Sequence, residues 1–237
     1  MKLDILSALN SERAARRAAI VVTNVATGQQ RLVKAAETTK DPLQTALAER
    51  LRSGKSGMID SAEGRVFLTV YVPAAQLVAI GAVHISQALA PIAKLLGYDV
   101  TIVDPRTAFA SAERFPDVKV IAEWPDKALP ALGIDHYTAF VALTHDPKID
   151  DPALMYALAR DCFYIGALGS RKTHGRRVER LKQQGARDAD ISRICAPIGL
   201  DIGAVSPAEI AVAIMAQITE SLHKEPQVDQ ALVEAVS

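Results

Sequence analysis

Two rhythms of apolar positions divide this chain near residue 75. In the first part the periods are mixed. Ile5, Leu6 and Leu9 predict a short helix over residues 4–18, and the β-branched run AIVVTNV, residues 19–25, predicts a strand. The turn Ala26-Thr27-Gly28-Gln29 then sends residues 31–35 back as a hairpin partner. Asp41-Pro42 has the form of an N-cap followed by proline at the first helical position, with Leu43, Leu47 and Leu51 at helical spacing until Gly54. RVFLTVYV, residues 65–72, reads as a strand closed by Pro73. Residues 1–74 therefore read as a small α+β domain.

From Leu77 onward short, continuously apolar strands alternate with longer amphipathic helices, the pattern of a parallel sheet covered on both faces. The predicted strands are residues 77–82 (LVAIGA), 98–104 (YDVTIVD), 118–122, 138–143 (TAFVAL) and 162–168 (CFYIGAL). The predicted helices run over 84–96 with Gly97 as the stop, 126–132, a stretch opening at Asp151-Pro152, a basic stretch at 170–184, and 207–223 behind the capping box of Ser206 and Glu209. The fold class is α/β: a Rossmann-like parallel sheet with helices on both faces over residues 75–223, preceded by the small α+β domain and followed by a tail at 224–237.

Charge and composition narrow the function classes. Lysine plus arginine equals aspartate plus glutamate at 27 each, so no global field draws the chain to nucleic acid or to an anionic membrane surface. No apolar run approaches the roughly 20 residues that span a bilayer. The opening MKLDILSALNSERAARR lacks the apolar core of a secretory signal, and a cytoplasmic protein is expected. Cys162 and Cys195 form no CxxC pair and read as buried apolar residues. His136, His174 and His223 lack zinc-ligand spacing, and no G-x-S-x-G elbow is present.

Four constellations remain, each at a predicted strand end or before a helix. The turn Gly81-Ala82-Val83-His84 is followed about two dozen residues later by Asp104 at the end of the next strand, the spacing of a dinucleotide fingerprint. Only its first glycine is present; Val83 and Ser86 stand where the others belong, with two methyls on the usual pyrophosphate path. Next, Thr144-His145-Asp146-Pro147 places an imidazole and a carboxylate beyond the fourth strand, where open α/β sheets bind ligands, although Asp146 equally suits a helix cap. Third, Gly166-Ala167-Leu168-Gly169-Ser170-Arg171-Lys172 joins close backbone approach, a helix N-terminus and directed donors, a combination suited to phosphate. Beyond it Arg176, Arg177 and Arg180 read as a solvated face. In the fourth, Asp201 sits in the apolar loop PIGLDIG, where a carboxylate is expected to need a partner.

Taken in order, GAVHISQALAPIAKLLGYDVTIVDPR, ERFPD, LTHDPKIDDPAL, FYIGALGSRKTH and PIGLDIGAVSPAEIA resemble the C-terminal Rossmann domain of the XdhC/CoxI family, over about residues 77–223. The resemblance implies a maturation factor for molybdenum hydroxylases of the xanthine dehydrogenase or carbon monoxide dehydrogenase type. Such a chaperone binds molybdenum cofactor, as molybdopterin or its dinucleotide form, supports its sulfuration by a cysteine desulfurase, and delivers it to an apo molybdenum hydroxylase. Family members usually read G-A-G-H where this chain has Gly81-Ala82-Val83-His84. The cysteine of longer members' N-terminal domains has no counterpart in the stretch ATGQQRLV, residues 26–33.

On this reading the cofactor-binding residues are Gly81, Ala82, His84, Asp104, Arg106, His145, Asp146, Gly166, Gly169, Ser170, Arg171, Lys172 and Asp201, with no metal ligand and no catalytic residue. An NAD(P)-dependent oxidoreductase using the same crevice is the second class, with Asp104 on the ribose, Arg106 suited to a 2′-phosphate and His145 as acid or base. A protein-interaction module without a ligand is the third. Accessory proteins of this fold often pair, so a homodimer is expected.

Overall fold

The computed structural model describes residues 1–62 and 64–224. The expected tail, apart from Lys224, lies outside the described residues. The chain forms two compact units, Met1–Pro73 and a second one beginning at Ala74.

The first unit comprises α1 (Leu3–Ala14), β1 (Ala19–Asn24), β2 (Gln30–Lys34), α2 (Gln44–Ser53), β3 (Gly57–Ser61) and β4 (Gly64–Tyr71), with an antiparallel sheet in the order β2-β1-β4-β3. In β1, Ile20 and Val22 face a core shared with Leu47 of α2, while Ala19 and Val21 face Ile5 and Leu9 of α1. Helices on opposite faces explain why this strand is apolar at consecutive positions instead of alternating. Two elements differ from the sequence reading. α2 begins at Gln44, because the Asp41 carboxylate takes the Leu43 N–H at 2.9 Å and pairs with Arg31 at 3.0 and 3.1 Å, holding the intervening residues in a turn. β3 went unpredicted, since GMIDS carries little apolar signal and is an edge strand defined by its pairing to β4.

The second unit runs β5 (Gln76–Ile80), α3 (His84–Leu95), β6 (Asp99–Val103), β7 (Lys119–Ile121), α4 (Pro125–Ala128), β8 (Thr138–Ala142), α5 (Pro147–Leu158), β9 (Tyr164–Ala167), α6 (Arg171–Gln183), α7 (Asp188–Ile191), β10 (Ile194–Cys195) and α8 (Pro207–His223). Its six strands are all parallel, in the order β10-β9-β8-β5-β6-β7. Leu77, Ala79, Ala139 and Val141 pack under α3 and α8, whereas Val78, Ile80, Phe140 and Ala142 pack under α4, α5 and α6. This is the doubly wound Rossmann architecture, and the chain reverses direction across the sheet between β5 and β8.

One helix start needs correction. The chain offers Asp-Pro twice, at Asp146-Pro147 and at Asp151-Pro152, and the helix uses the first. Asp146 caps it by accepting the Lys148 N–H at 2.9 Å, and Pro152 lies inside the helix. Asp151 is instead buried and bound to Arg180 at 2.5 and 3.1 Å. The short β10 and α7 were not expected either. Cys162 and Cys195 are free; Cys162 is buried as expected, and burial pushes its thiol up to about 12, whereas Cys195 is only half-buried.

Candidate ligand-binding site

The crevice of a doubly wound sheet opens where the strand order reverses, at the carbonyl ends of β5 and β8. Gly81 stands there with φ +112°, and a Cβ at this position would lie 2.8 Å from Thr144 Cγ2 and 3.3 Å from the Thr144 backbone nitrogen. The loops after β5 and β8 therefore touch at their base, and only glycine permits it. α3 begins just above. Its N-cap, Val83, offers no side-chain acceptor to the first turn. The Val83 side chain is half-buried against the core under α3 and α8. Ser86 turns its hydroxyl back to the Gly81 carbonyl at 2.5 Å.

After β6, the acid of the fingerprint is occupied. Asp104 is fully buried, and its carboxylate accepts from the Ala82 N–H at 2.8 Å, the Arg106 N–H at 2.9 Å, and Arg106 Nε and Nη2 at 2.9 and 2.7 Å. Burial alone would raise this carboxyl, but the Arg106 guanidinium and the two backbone donors more than offset it, and Asp104 lies below the ordinary carboxylate range. Each oxygen already has two donors. Asp104 is thus a clamp that ties the β5 turn to the β6 loop, not an open acceptor for a ribose diol, and Arg106 spends its fork on that clamp. Arg114 reinforces the same turn, donating to the carbonyls of Ala82 and Phe109, each at 2.9 Å, and to Gln87 Oε1 at 3.0 Å. Arg114 and Gln87 also line a cavity of about 310 Å³ with Pro91, Lys94 and Phe115, on the flank of α3.

The loop after β8 is organised from below by Asp150. This buried carboxylate accepts the Thr144 hydroxyl at 2.7 Å, the Thr144 N–H at 3.3 Å and the His145 N–H at 3.1 Å. Burial is the largest influence on Asp150 and raises it, against those hydrogen bonds and the charge of Arg177. Held this way, His145 adopts φ +63° and exposes its ring. A left-handed backbone at a residue other than glycine costs about 1 to 2 kcal/mol and is fixed here by the bonds to Asp150.

After β9, Gly169 has φ +134° and Ser170 caps α6 by accepting the Thr173 N–H at 3.2 Å. Arg171 and Lys172 are exposed at the first turn. Gly166 does different work: a Cβ there would meet Ile198 Cδ1 at 2.5 Å, so the glycine makes room for the loop that follows β10.

The structure brings Gly81, Ala82, His84, Asp104, Arg106, His145, Asp146, Gly169, Ser170, Arg171 and Lys172 to one end of the sheet, in the loops after β5, β6, β8 and β9. Gly166 lies in the core. Asp201 lies in the loop after the edge strand β10 and is exposed, so water solvates it and the expected partner is not required. The solvated-face reading of α6 also needs correction. Arg177 keeps only 2 % of its surface, and Arg180 binds the buried Asp151. Sequence reasoning missed Arg177, Asp150, Thr144 and Arg114; the signal for Arg177 was its four-residue spacing from buried Leu181, which puts both on the inward face. Among the described residues no cluster of His, Cys, Asp or Glu suits a metal ion, and no helix is long and apolar enough to cross a membrane.

Comparison with known proteins adds a lineage. The family model for the XdhC Rossmann domain matches residues 77–218. Uncharacterized protein YqeB of Escherichia coli (strain K12) is 31% identical over 165 residues, 68% of this chain and 30% of its own length. A probable xanthine dehydrogenase subunit of Bacillus subtilis (strain 168) is 29% identical over 157 residues, 66% of this chain and 46% of its own. Molybdenum cofactor insertion chaperone PaoD of Escherichia coli (strain K12) is 31% identical over 154 residues, 65% of this chain and 42% of its own. The chain thus spans less than half the length of these curated relatives. A solved structure described as a xanthine dehydrogenase from Bacillus halodurans superposes with a TM-score of 0.67 at 23% identity, over 98% of this chain and 68% of that one, a likeness of fold.

Proposed function

The chain belongs to the XdhC family, and from that premise we propose that it is an accessory protein for molybdenum hydroxylase maturation that binds molybdenum cofactor as cargo in the carbonyl-end crevice of its Rossmann unit. The observation that carries this reading is an incompletely bonded guanidinium, Arg177, buried beside the α6 N-terminus at that end of the sheet. A pterin with a phosphate or nucleotide tail is anionic, and the cleft meets it with the uncapped first turn of α3, the glycine-led first turn of α6, and exposed Arg171 and Lys172. The ring system, with its polar edges, would lie across the loops after β5 and β8.

The cofactor brings the redox chemistry of the client; the residues of this chain bind, orient and shield it. Under this reading the chain pairs with itself, accepts a sulfurating step from a cysteine desulfurase, and hands the cofactor to an apo-hydroxylase. The test is retention: purified chain incubated with molybdenum cofactor keeps it through gel filtration, and Ser170→Ala combined with Arg171→Ala loses most of it. Retention equal in both proteins removes the α6 turn from the site. No retention by the wild type refutes the proposal. Titration with NAD(H) and NADP(H) serves as the control, and the saturated Asp104 carboxylate predicts no binding at millimolar dinucleotide.

A further inference from the structure

Arg177 is a cation buried without a matching set of acceptors. Among the described residues only its Nη2 has a partner, the Leu168 carbonyl at 2.8 Å; Nε and Nη1 are buried and have none there. The nearby carboxylates are engaged elsewhere. Asp151 is held by Arg180, and Asp150 by Thr144 and His145, so both act on Arg177 through space alone. Leaving buried donors unmet is costly, and more so on a charged group. His174 Nδ1, one turn earlier on the same helix, is also buried without a partner among the described residues.

The position of this guanidinium is specific. Side chains on a helix lean toward its N-terminus, and Arg177 leans along α6 until it lies under the segment Leu168-Gly169-Ser170. A Cβ on Gly169 would sit 3.1 Å from Thr173 Cγ2 and 3.9 Å from Arg177 Nη2. Within this segment only Gly169 carries no side chain, and Thr173 packs against the place its Cβ would take. Above it, the Ser170 hydroxyl takes the Thr173 N–H, while the dipole of a 13-residue helix adds its positive end. A buried cation and a helix N-terminus thus flank one backbone segment that contains a glycine.

We propose that this turn is an oxyanion site for a phosphate-type group, with Arg177 as the buried counter-charge and the first turn of α6 as the amide cradle. The site deepens the function proposed above and rests on that reading only for its natural ligand, the phosphate of the cargo. Seating the anion requires the Leu168 to Ser170 segment to yield at Gly169, and gives Nε and Nη1 the acceptors they lack.

Calorimetric titration of the whole chain with inorganic phosphate and with pyrophosphate tests it. Pyrophosphate should bind the wild type and bind Arg177→Met about tenfold or more weakly, the size expected for a lost charge-assisted pair. The apo form of this variant should be no less stable than the wild type, since a buried charge with a single hydrogen-bond partner has been replaced by a side chain of similar length. Should Arg177→Met fail to fold, Arg177→Lys decides, because a point charge without the planar fork should weaken pyrophosphate severalfold. Wild-type pyrophosphate affinity in the folded variant, or no binding by the wild type, overturns the site. A chain that binds pyrophosphate through Arg177 yet retains no molybdenum cofactor overturns the proposed function and leaves the site. Cofactor retention alongside pyrophosphate affinity indifferent to Arg177 does the reverse.

Discussion

Replacing Asp104 with asparagine separates a structural clamp from a nucleotide-binding acid. In the native unit the carboxylate accepts four N–H donors with no solvent exposure. Asparagine keeps the volume and one acceptor oxygen but turns an NH₂ toward donors, so two of those bonds are lost and like faces like. Hydrogen bonds to a charged group contribute about 1.5 to 3 kcal/mol each, which sets the gross loss at about 3 to 6 kcal/mol. Arg106 recovers part of it, because its side chain is 36% exposed and can turn to water. The expected net loss is about 2 to 4 kcal/mol. The single tryptophan, Trp124, lies in the second unit, so urea unfolding followed by its fluorescence reports that unit alone. The pH dependence has a defined sign. Asp104 is lowered in the folded state, so its contribution is fully present above the unfolded carboxylate value and is lost as pH falls through the lowered one. Wild type and Asp104→Asn should therefore converge in acid. A variant as stable as the wild type within about 0.5 kcal/mol, and altered instead in NAD(H) affinity, would refute the clamp.

Two further perturbations test the framework. Gly81→Ala forces a Cβ to within 2.8 Å of Thr144 Cγ2 at φ +112°, and strain plus overpacking should cost about 2 to 5 kcal/mol by the same fluorescence assay; a loss under about 1 kcal/mol would show that the β5 and β8 loops are not in contact. In the first unit, the Arg17 guanidinium, joined by Lys34, overcomes burial to hold Glu12 down at about 2, so this contribution is present above the unfolded value near 4.5 and lost as pH falls toward 2. The full shift would be worth about 3 kcal/mol, but Arg17 is 60% exposed and solvent screening reduces the expectation to about 1 to 2 kcal/mol. Glu12→Gln should remove that acid dependence in far-UV circular dichroism, and an unchanged acid profile would count against the pair.

The sheet was legible because its strands are buried on both faces. TAFVAL and LVAIGA are short, continuous apolar runs, the signature of central strands, and Gly97 marks the end of the first helix between them. The weaker elements lacked that signal: GMIDS gains meaning only against β4, and the repeated Asp-Pro pair offers two equally good helix starts. At the site, loop position was legible and side-chain role was not. Asp104 has the spacing of a ribose acid, but whether its oxygens are free depends on Arg106 and Ala82 reaching them, which spacing does not encode. Asp201 appeared costly because its sequence neighbours are apolar, yet Ile202 beside it is also 54% exposed and the loop stands in solvent. Arg177 shows the opposite error, an arginine in a basic run that faces inward.

These departures share one direction. A dinucleotide-binding Rossmann unit keeps an open acid after its second strand and a glycine path over its first helix; here the acid is saturated and a half-buried Val83 stands where the second glycine belongs. The ribose end of the crevice is therefore spent on rigidity, while the loops after β8 and β9 keep an exposed His145, exposed Arg171 and Lys172, and a buried cation without a full partner set. A ligand matched to this cleft places its negative charge near α6 and asks little of Asp104. Under the proposed function, that asymmetry favours an anionic cargo recognised through its phosphate over a cofactor gripped by its ribose, and the proposed selectivity lies in the α6 turn.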